Sequence, residues 1–342
     1  MRILHLLASP AFSGPAENIA LLALAQRELG HEASVAVDRK RSRLSSEELA
    51  VPRFQALGLL DEGGLELSVK SFPWAMAADA LRLRRRAVDV VHAHFSHDHL
   101  LASVGCPPGA RLVRSIHAPR SLGRWLPRAD AFTVPSEEDL QRLGRPGALV
   151  LPPLTGAEFV PPGDRVALRR TLGIEGHPVI GMVSTFQPSR RHDVGLEAFA
   201  RLLARTPGAL LVLVGDGECE PALRAQAERL GISARVLFAG YRGGEDFVRW
   251  LQALDEVWVL GLGNDWSGRV AAQARRCGVR VIAARLGGLP RYADVILDTV
   301  DAEAVVAAAR QGGARTRELE TNLDIARQVL RLYEGAAGRA GA

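Results

Sequence analysis

Short apolar runs alternate with amphipathic runs along most of the chain. The first seven residues form an apolar run around His5, and residues 17–29 carry apolar side chains at helical spacing before Gly30. Because this order recurs, the pattern predicts parallel sheets with helices on both faces. The predicted strands are 1–7, 34–37, 65–69, 89–95, 111–116, 131–134, 179–183, 209–214, 236–239, 257–260, 279–284 and 295–297. The predicted helices are 17–29, 47–57, 74–87, 137–143, 164–172, 194–205, 220–230, 247–254, 268–276, 301–310 and 319–333.

One strand–helix–strand segment, residues 254–289, contains the most informative turns. Its first strand runs into a Gly- and Asn-rich turn at 261–265, and its second strand ends at Gly287 and Gly288. Ligands bind at the carboxyl ends of the strands in open parallel sheets. The segment therefore predicts a ligand site at these turns.

Proline-rich segments divide the chain. Its 342 residues favour two domains, and the segments 152–153 and 161–163 carry no periodicity. We predict an amino-terminal domain over 1–155 and a second domain over 156–320. Residues 321–342 form a terminal helix and a small-residue tail that pack back toward the first domain. The predicted fold class is α/β, with two Rossmann-like, doubly wound domains that face each other across a cleft.

Composition is typical of a globular protein with ample cores. Hydrophobic residues make up 47% and charged residues 24%, and no apolar run approaches the roughly 20 residues that span a bilayer. The amino terminus resembles a short signal peptide, but His5 and the following Gly turn favour a buried strand. Cys106, Cys219 and Cys277 lack metal-ligand spacing, which indicates a reducing cytoplasm.

The chain is basic, with a net charge of +5 and a sequence pI near 9.6, and almost all of this charge is arginine. Two explanations of this bias are open. One is the base composition of the genome, and the other is a surface that binds an anionic substrate or a phospholipid headgroup. Basic residues concentrate at 39–43 and 82–86. Dispersed charge and 5% aromatic residues argue against nucleic-acid binding, and no Gly-Lys-Ser/Thr sequence of a P-loop occurs.

A series of short motifs follows in a fixed order. They are Ser-Gly-Pro-Ala-Glu at 13–17, Asp-Val-Val-His-Ala-His at 89–94, Ser-Ile-His at 115–117, Arg-Arg-His-Asp at 190–193, Leu-Val-Gly-Asp-Gly-Glu at 213–218, Phe-Ala-Gly-Tyr at 238–241, and Cys-Gly-Val at 277–279 running to Gly-Gly-Leu-Pro at 287–290. In this order they resemble the GT-B-fold retaining glycosyltransferases of family 4. The resemblance implies an acceptor site in the first domain and a nucleotide-sugar site in the second. It also implies retaining transfer with neither a metal nor another cofactor.

The resemblance assigns cations to the leaving diphosphate, where negative charge grows during transfer. Arg190 takes the position of the family's phosphate-binding lysine, and guanidinium binds phosphate well. Thr185 takes the position of a companion arginine, so Arg191 or Arg269 is needed to supply that charge. The alternative for Arg190 and Arg191 is an ordinary surface loop.

Two further positions match the family's paired glutamates. Asp265 corresponds to the glutamate that meets the transferred sugar, and Gln273 to the one that meets the ribose hydroxyls. Asp265 keeps a carboxylate on a shorter stem, and Gln273 still accepts and donates hydrogen bonds. Gly14 corresponds to a glycine that lets the backbone approach the diphosphate, but Pro15 replaces a second glycine and removes an N–H group.

His117 matches the family histidine beside the sugar's hydroxymethyl group and is our catalytic candidate, with Asp265 and Arg190. Gly217 and Tyr241 follow strand ends and are expected to border the nucleobase. Strand alternation places His92 and His94 on one face, with further histidines at 97 and 99. That set has no carboxylate in a defined geometry, so we expect no metal site.

Three functions are compatible with this sequence. The first is a glycosyltransferase that uses a nucleotide diphosphate sugar, with UDP favoured over GDP, and a glycan or lipid-linked acceptor of the cell envelope, such as a growing lipopolysaccharide. Such an enzyme would be cytoplasmic, with peripheral contact at the inner face of the membrane. The second is a non-catalytic GT-B scaffold that binds a nucleotide or a partner, favoured by Pro15, Thr185 and Gln273. The third is a nucleotide-sugar epimerase of the same fold, whose carboxylate set has no match here.

Overall fold

The computed structural model of the chain describes residues 1–39, 49–68, 73–118, 121–123, 126–263, 267–311 and 319–335. The described chain forms two compact units. The first unit is Met1–Leu154 together with the chain from Glu320 onward, and the second unit is Thr155–Leu319. The basic residues 40–43, part of the Gly- and Asn-rich turn at 264–266 and the tail from 336 lie outside the described residues.

Strands and helices alternate in both units. The strands are β1 Arg2–Leu7, β2 Glu32–Val37, β3 Val90–Ala93, β4 Arg111–Ser115, β5 Ala131–Val134, β6 Ala148–Val150, β7 Val179–Val183, β8 Leu210–Val214, β9 Val236–Gly240, β10 Glu256–Val259, β11 Arg280–Ala284 and β12 Val295–Leu297. The helices are α1 Gly14–Glu28, α2 Ala50–Ala56, α3 Pro73–Arg84, α4 Ser96–Gly105, α5 Glu137–Leu143, α6 Arg165–Thr171, α7 His192–Leu203, α8 Glu220–Arg229, α9 Gly244–Gln252, α10 Arg269–Arg276, α11 Ala302–Arg310 and α12 Asn322–Tyr333.

Each unit contains one six-stranded sheet, and every strand pair in both sheets is parallel. The first sheet has the order β2-β1-β3-β4-β5-β6, and the second has the order β12-β11-β10-β7-β8-β9. The strand order reverses between β1 and β3 in the first sheet and between β7 and β10 in the second. The predicted doubly wound α/β class is confirmed, and these two reversal points are where the fold places ligands.

Local sequence decides where several helices begin. The side chains of Ser136, Asp164, Asp301 and Thr321 each accept a hydrogen bond from a backbone N–H in the first turn of the helix that follows, α5, α6, α11 and α12 respectively. These caps satisfy donors that the first turn of a helix leaves without an intrahelical partner.

Apolar cores lie on the faces of both sheets. In the first unit, Ile325, Val329 and Tyr333 of α12 are buried in the same core as Ile19 and Leu22 of α1. In the second unit, one core packs against each face of the sheet. Among the described residues, no helix combines the length and the hydropathy that crossing a bilayer requires.

The strand predicted at 65–69 is wrong over its described part, 65–68, which forms no strand. The carboxylate of Asp79 accepts hydrogen bonds from the backbone N–H groups of Glu66 and Leu67, and Leu67 adopts a φ of 50°. The two N–H groups therefore bind a side chain instead of the backbone of a neighbouring strand.

Sequence analysis also missed α4 and β6, and it extended the strand before α4 to residue 95. The chain leaves β3 after Ala93 because Asp98 accepts hydrogen bonds from the backbone N–H groups of His94 and Phe95, at 3.3 and 2.6 Å. A buried carboxylate at the start of α4 thus decides the turn. The strand β6 has only three residues and precedes a proline pair, so its pattern was too short to recognise.

The helices α3 and α4 approach each other closely at Gly105. A methyl group on Gly105 would lie 2.8 Å from both the Cα and the carbonyl oxygen of Ala80, which are backbone atoms that cannot rotate away. We expect Gly105→Ala to lower the free energy of unfolding by about 1–3 kcal/mol, the usual cost of overpacking. Urea denaturation followed by circular dichroism measures this change.

Gly163→Ala is the matched control, because among the described residues no heavy atom lies within 4 Å of the added methyl group. This variant should keep the wild-type urea midpoint or raise it slightly. Equal midpoints for the Gly105→Ala variant and the wild type would show that the two helices separate without cost.

Candidate functional site

Two loops meet at the reversal point of the second sheet. One follows β7 and includes residues 184–191, and the other follows β10 and includes the described residues 260–263 and 267–268. The backbone N–H of Leu262 donates a hydrogen bond to the carbonyl oxygen of Ser189 at 2.8 Å, which ties the two loops together. The carboxyl ends of β7 and β10 therefore share one edge, where open parallel sheets bind ligands.

Gly215 and Gly217 let the loop after β7 lie directly against the loop after β8. A Cβ atom on Gly215 would lie 2.1 Å from the carbonyl oxygen of Ser184, and one on Gly217 would lie 2.6 Å from that of Phe186. Both glycines have positive φ, 142° and 148°. The structure thus places the predicted residue Gly217 beside the loop that carries Thr185, whose side chain is exposed.

The predicted phosphate-binding residues lie where α7 begins. Arg190 ends a short 3-10 turn, Arg191 adopts the left-handed conformation with a φ of 57°, and α7 starts at His192. Arg191 forms an ion pair with Asp193 at 3.5 Å. Burial lowers the pKa of His192 to about 4, and the charge of Arg190 lowers it further in the same direction. Two guanidinium groups therefore adjoin the positive end of a helix, which favours an anion.

Gln273 is the buried polar residue of α10. Its side chain is only 1% exposed, and its Oε1 accepts no hydrogen bond from any residue that the structure describes. Arg269 begins the same helix one turn earlier, so the two side chains lie on one face. A buried carbonyl oxygen without a partner costs free energy unless a ligand supplies a donor. The predicted residue Asp265 lies outside the described residues.

Tyr241 lies farther along the same sheet edge. It follows β9, the edge strand two positions from β7, and its side chain is 73% exposed. The neighbouring Arg242 is held by Asp246 at 3.1 Å and lies over the ring of Trp250. Tyr241 is therefore accessible to a ligand.

The predicted residues of the first unit lie near the reversal point between β1 and β3. Gly14 is the first residue of α1, the helix that follows β1. His117 follows β4, the neighbour of β3, and its Nε2 lies 3.4 Å from Nδ1 of His94. His94 follows β3 directly, so the structure joins His117 to the end of that strand.

A row of imidazoles continues inward from His117. Ligand nitrogens of His5, His92 and His94 lie within 4.8 Å of one another, a spacing that suits a metal ion. However, Nδ1 of His5 lies 3.0 Å from Nε2 of His94, and both ring nitrogens of His92 lie within hydrogen-bond distance of hydroxyl groups, at 2.6 and 2.8 Å. The histidines at 97 and 99 do not belong to this group. Hydrogen bonds therefore already use the nitrogens that a metal would need.

Burial of these rings favours neutral imidazoles. Burial lowers the pKa of His5, His99 and His117 to about 4 and holds those of His92 and His94 well below the usual 6.5. Burial is the largest cause in each case.

One buried ion pair adjoins the row. Arg114 is 1% exposed, and its Nη1 lies 3.8 Å from a carboxylate oxygen of Asp98. Burial lowers the pKa of Arg114 to about 10 and raises the pKa of Asp98 to about 7, while each partner opposes the shift of the other. The Arg114 charge also lowers the pKa of His92, His94 and His117.

Sequence analysis missed the polar side chains that complete this row. Gln26 of α1 and Tyr333 of α12 are buried beside His5 and His92. The sequence carries one signal of this buried polar network, which is the polar residue His5 inside an apolar strand. Its partners come from helices far along the chain, and periodicity carries no information about such pairings.

Five histidines of the first unit, four of them buried and His117 half-buried, predict acid-sensitive stability. An unfolded histidine binds a proton below about pH 6.5. Burial lowers the pKa of folded His5, His99 and His117 to about 4 and holds those of His92 and His94 well below 6.5. The free energy of unfolding therefore has its full value above pH 6.5. It falls as the pH drops toward 4, by about 1.4 kcal/mol per pH unit for each histidine. The pKa of Asp98 is shifted in the opposite direction, so Asp98 offsets the contribution of about one histidine to this slope. Urea midpoints between pH 7.5 and 4.5 measure the slope.

His99→Phe is the matched variant for this slope, since His99 packs edge-on against Phe132 and its Nε2 lies 3.4 Å from the carbonyl oxygen of Arg128. The substitution should reduce the slope by about the share of one histidine. A wild-type free energy of unfolding that stays constant from pH 6.5 to 4.5 would contradict neutral burial of these rings.

Comparison with known families agrees with the fold. Residues 12–148 match the family described as Glycosyltransferase Family 4, and residues 164–308 match the family described as Glycosyl transferases group 1. The first match lies within the first unit and the second match within the second unit.

Curated relatives share part of their length with this chain. A D-inositol 3-phosphate glycosyltransferase of Nocardia farcinica is 40% identical over 148 residues, which cover 41% of this chain and 33% of the relative. The enzyme of the same name from Saccharomonospora viridis is 33% identical over 211 residues, or 52% of this chain and 49% of the relative. The matches thus span half or less of these relatives.

Solved structures are similar over nearly the whole chain. Anabaena HepE in complex with UDP has a TM-score of 0.72 at 18% identity and covers 98% of this chain and 94% of its own. AviGT4, a glycosyltransferase of avilamycin A biosynthesis, has a TM-score of 0.64 at 19% identity and covers 99% of both chains. The chain therefore consists of a family 4 glycosyltransferase domain followed by a group 1 glycosyltransferase domain, in the GT-B fold.

Proposed function

We propose that this protein is a retaining, metal-independent glycosyltransferase that moves a sugar from a nucleotide diphosphate sugar to an acceptor. The observation that carries the proposal is the edge between β7 and β10. There Arg190 and Arg191 adjoin the start of α7, and the buried Gln273 keeps an acceptor oxygen that no described residue uses. An anionic group and a hydroxyl-bearing group are the ligands that these features suit.

The residues take the following roles in this proposal. Arg190, with Arg191 or Arg269, stabilises the departing diphosphate, because fixed cations act most strongly where charge develops. Gln273 accepts from the ribose hydroxyls, and Gly217 and Tyr241 border the nucleobase. His117 and Asp265 contact the transferred sugar, Gly14 lets the backbone approach the diphosphate, and Thr185 contributes a hydroxyl rather than a charge.

UDP is the proposed nucleotide, ahead of GDP. HepE, which shares the fold at 18–19% identity, has been solved with UDP and with UDP-glucose. The proposed acceptor is a glycan or a lipid-linked intermediate of the cell envelope, reached in the cytoplasm at the inner face of the membrane. The relatives that match over part of their length are named for D-inositol 3-phosphate. The panel of acceptors to be tested with UDP-glucose should therefore include phosphorylated polyols.

A non-catalytic scaffold that binds a nucleotide is the second candidate. Thr185 stands where the resemblance implies a second cation, and its exposed hydroxyl carries no charge. Fewer cations would stabilise the leaving group less. Nucleotide binding without release of UDP from UDP-glucose, across the whole acceptor panel, would favour this candidate.

The donor site predicts selective nucleotide binding that depends on Arg190. Isothermal titration calorimetry without metal against UDP, GDP, ADP and CDP should show binding with UDP preferred. Arg190→Ala should weaken binding by about 10- to 100-fold, since a hydrogen bond to a charged group contributes about 1.5–3 kcal/mol.

Arg229→Ala is the control for charge, because Arg229 is an exposed arginine of the same unit at the end of α8. It should bind UDP with wild-type affinity. Absence of binding to all four nucleotides would refute the donor site. An equal loss of UDP affinity in both arginine variants would show that Arg190 attracts UDP only through the net charge of the protein.

The proposed contact of Gln273 with the ribose predicts that a Gln273 variant no longer distinguishes UDP from an analogue without ribose hydroxyls. The wild type should bind UDP about tenfold more tightly than its 2′,3′-dideoxy analogue, because the analogue leaves the buried Oε1 without a donor. Gln273→Met keeps the size of the side chain and removes the acceptor, so it should bind both nucleotides within about twofold of each other. A variant that still prefers UDP tenfold would place the ribose elsewhere.

A further inference from the structure

Eight side chains of the first unit form one continuous series of hydrogen bonds that begins at the half-buried His117 and continues through seven buried members. Its first half runs from the loop after β4 into the sheet. His117 Nε2 lies 3.4 Å from His94 Nδ1, and His94 Nε2 lies 3.0 Å from His5 Nδ1. His5 Nε2 then lies 2.9 Å from Oε1 of Gln26 on α1. Each ring thus contacts its neighbours through opposite nitrogens.

The second half returns to the sheet through the terminal helix. Gln26 Nε2 donates to the hydroxyl of Tyr333 at 3.2 Å, and that hydroxyl lies 2.6 Å from His92 Nδ1. His92 Nε2 lies 2.8 Å from the hydroxyl of Ser115, which lies 2.6 Å from that of Thr133. The seven members beyond His117 are all 0–3% exposed.

The amide of Gln26 gives the series a single direction. Its Oε1 only accepts, so His5 Nε2 carries a proton, and its Nε2 only donates, so the Tyr333 hydroxyl is free to donate onward. A neutral imidazole has one N–H and one bare nitrogen. Every ring is then assigned in turn: His5, His94 and His117 are protonated on Nε2 and bare on Nδ1. On the other side, His92 accepts from Tyr333 at Nδ1 and donates from Nε2 to Ser115.

We infer that the members from His117 to His92, which we call the histidine relay, fix the tautomer of His117 and leave its Nδ1 as an acceptor for a hydroxyl group of the donor sugar. The inference rests on the proposed function, because it concerns how His117 meets that sugar. Gln26 and Tyr333 act as positioning residues, since they reach His117 only through other side chains. The terminal helix α12 thereby takes part in the site through one hydroxyl group.

A shared metal ion is the competing explanation for the three innermost rings. A metal needs bare nitrogens that point to one centre, whereas these nitrogens are paired with each other, with Gln26 or with hydroxyl groups. The charge of Arg114 also acts on His92, His94 and His117, and it would oppose a further cation. Hydrogen bonds to described residues thus account for the ring nitrogens of these three histidines.

The relay predicts one protonation pattern for four rings. Nitrogen-15 spectra of the full-length protein, labelled at histidine and recorded at pH 7, distinguish N–H from bare ring nitrogens. The rings of His5, His92, His94 and His117 should show protonated Nε2 and bare Nδ1, and a His117→Gln variant assigns the signals of His117. Four rings with protonated Nδ1, rings of mixed tautomer, or signals that shift on addition of Zn²⁺ would each overturn the inference.

Tyr333→Phe removes the hydroxyl and keeps the ring. It leaves the Gln26 amide and His92 without their shared partner, so His117 should populate both tautomers. Thr133→Val is the matched control, because it removes a buried hydroxyl at the far end, where Ser115 still accepts from His92. A Tyr333→Phe spectrum identical to the wild-type spectrum at His117, or an equal change in Thr133→Val, would overturn the directional relay.

Release of UDP from UDP-glucose provides the functional readout. Tyr333→Phe should lower kcat by about tenfold with the KM for UDP-glucose within about twofold of wild type, since one hydrogen bond at the reacting sugar is affected. Thr133→Val should keep the wild-type kcat. Altered tautomers with an unchanged kcat would overturn the positioning role. No release by the wild type, with the predicted tautomers present, would refute the proposed function and leave the relay intact.

Discussion

The parallel direction of all strands is the constraint on which both units depend. A parallel strand needs a crossover, and the crossovers here are helices that cover both faces of each sheet. All carboxyl ends of a sheet therefore share one edge, and the loops there diverge where the strand order reverses. In the second unit this brings the Arg190 loop and the start of α10 together, although they are separated by about a quarter of the chain.

Close packing at that edge depends on residues without side chains. Gly215 and Gly217 allow the loop after β8 to contact the backbone of Ser184 and Phe186, which fixes the path of the loop toward Arg190. Rigid backbone at a strand end positions cations without the entropy loss of ordering a mobile loop on ligand binding. Gln273 Oε1, a buried acceptor that receives no hydrogen bond from any described residue, lies on the helix that begins at the same edge.

The first unit has a different character, because it buries polar side chains that satisfy one another. A buried polar group without a partner costs about 1–3 kcal/mol, so a half-completed row of imidazoles would be unstable. Completion requires Gln26 from α1 and Tyr333 from α12, which are 307 positions apart in the chain. The packing of α12 into the core beside α1 thus closes the hydrogen-bond network as well as the apolar core.

The sequence by itself determined the fold class and most strands and helices, because apolar periodicity reports directly which faces are buried. It also offered Arg190, Gln273 and His117 as candidate site residues, since ordered motifs mark strand ends, and their roles stay predictions. Tertiary structure alone decided that Asp79 holds residues 66 and 67 away from a strand, that Asp98 ends β3 and begins α4, and that His5, His94 and His117 share one hydrogen-bonded row. Each of these depends on a side chain that satisfies a backbone or ring group distant in sequence, and such pairings leave no periodic trace.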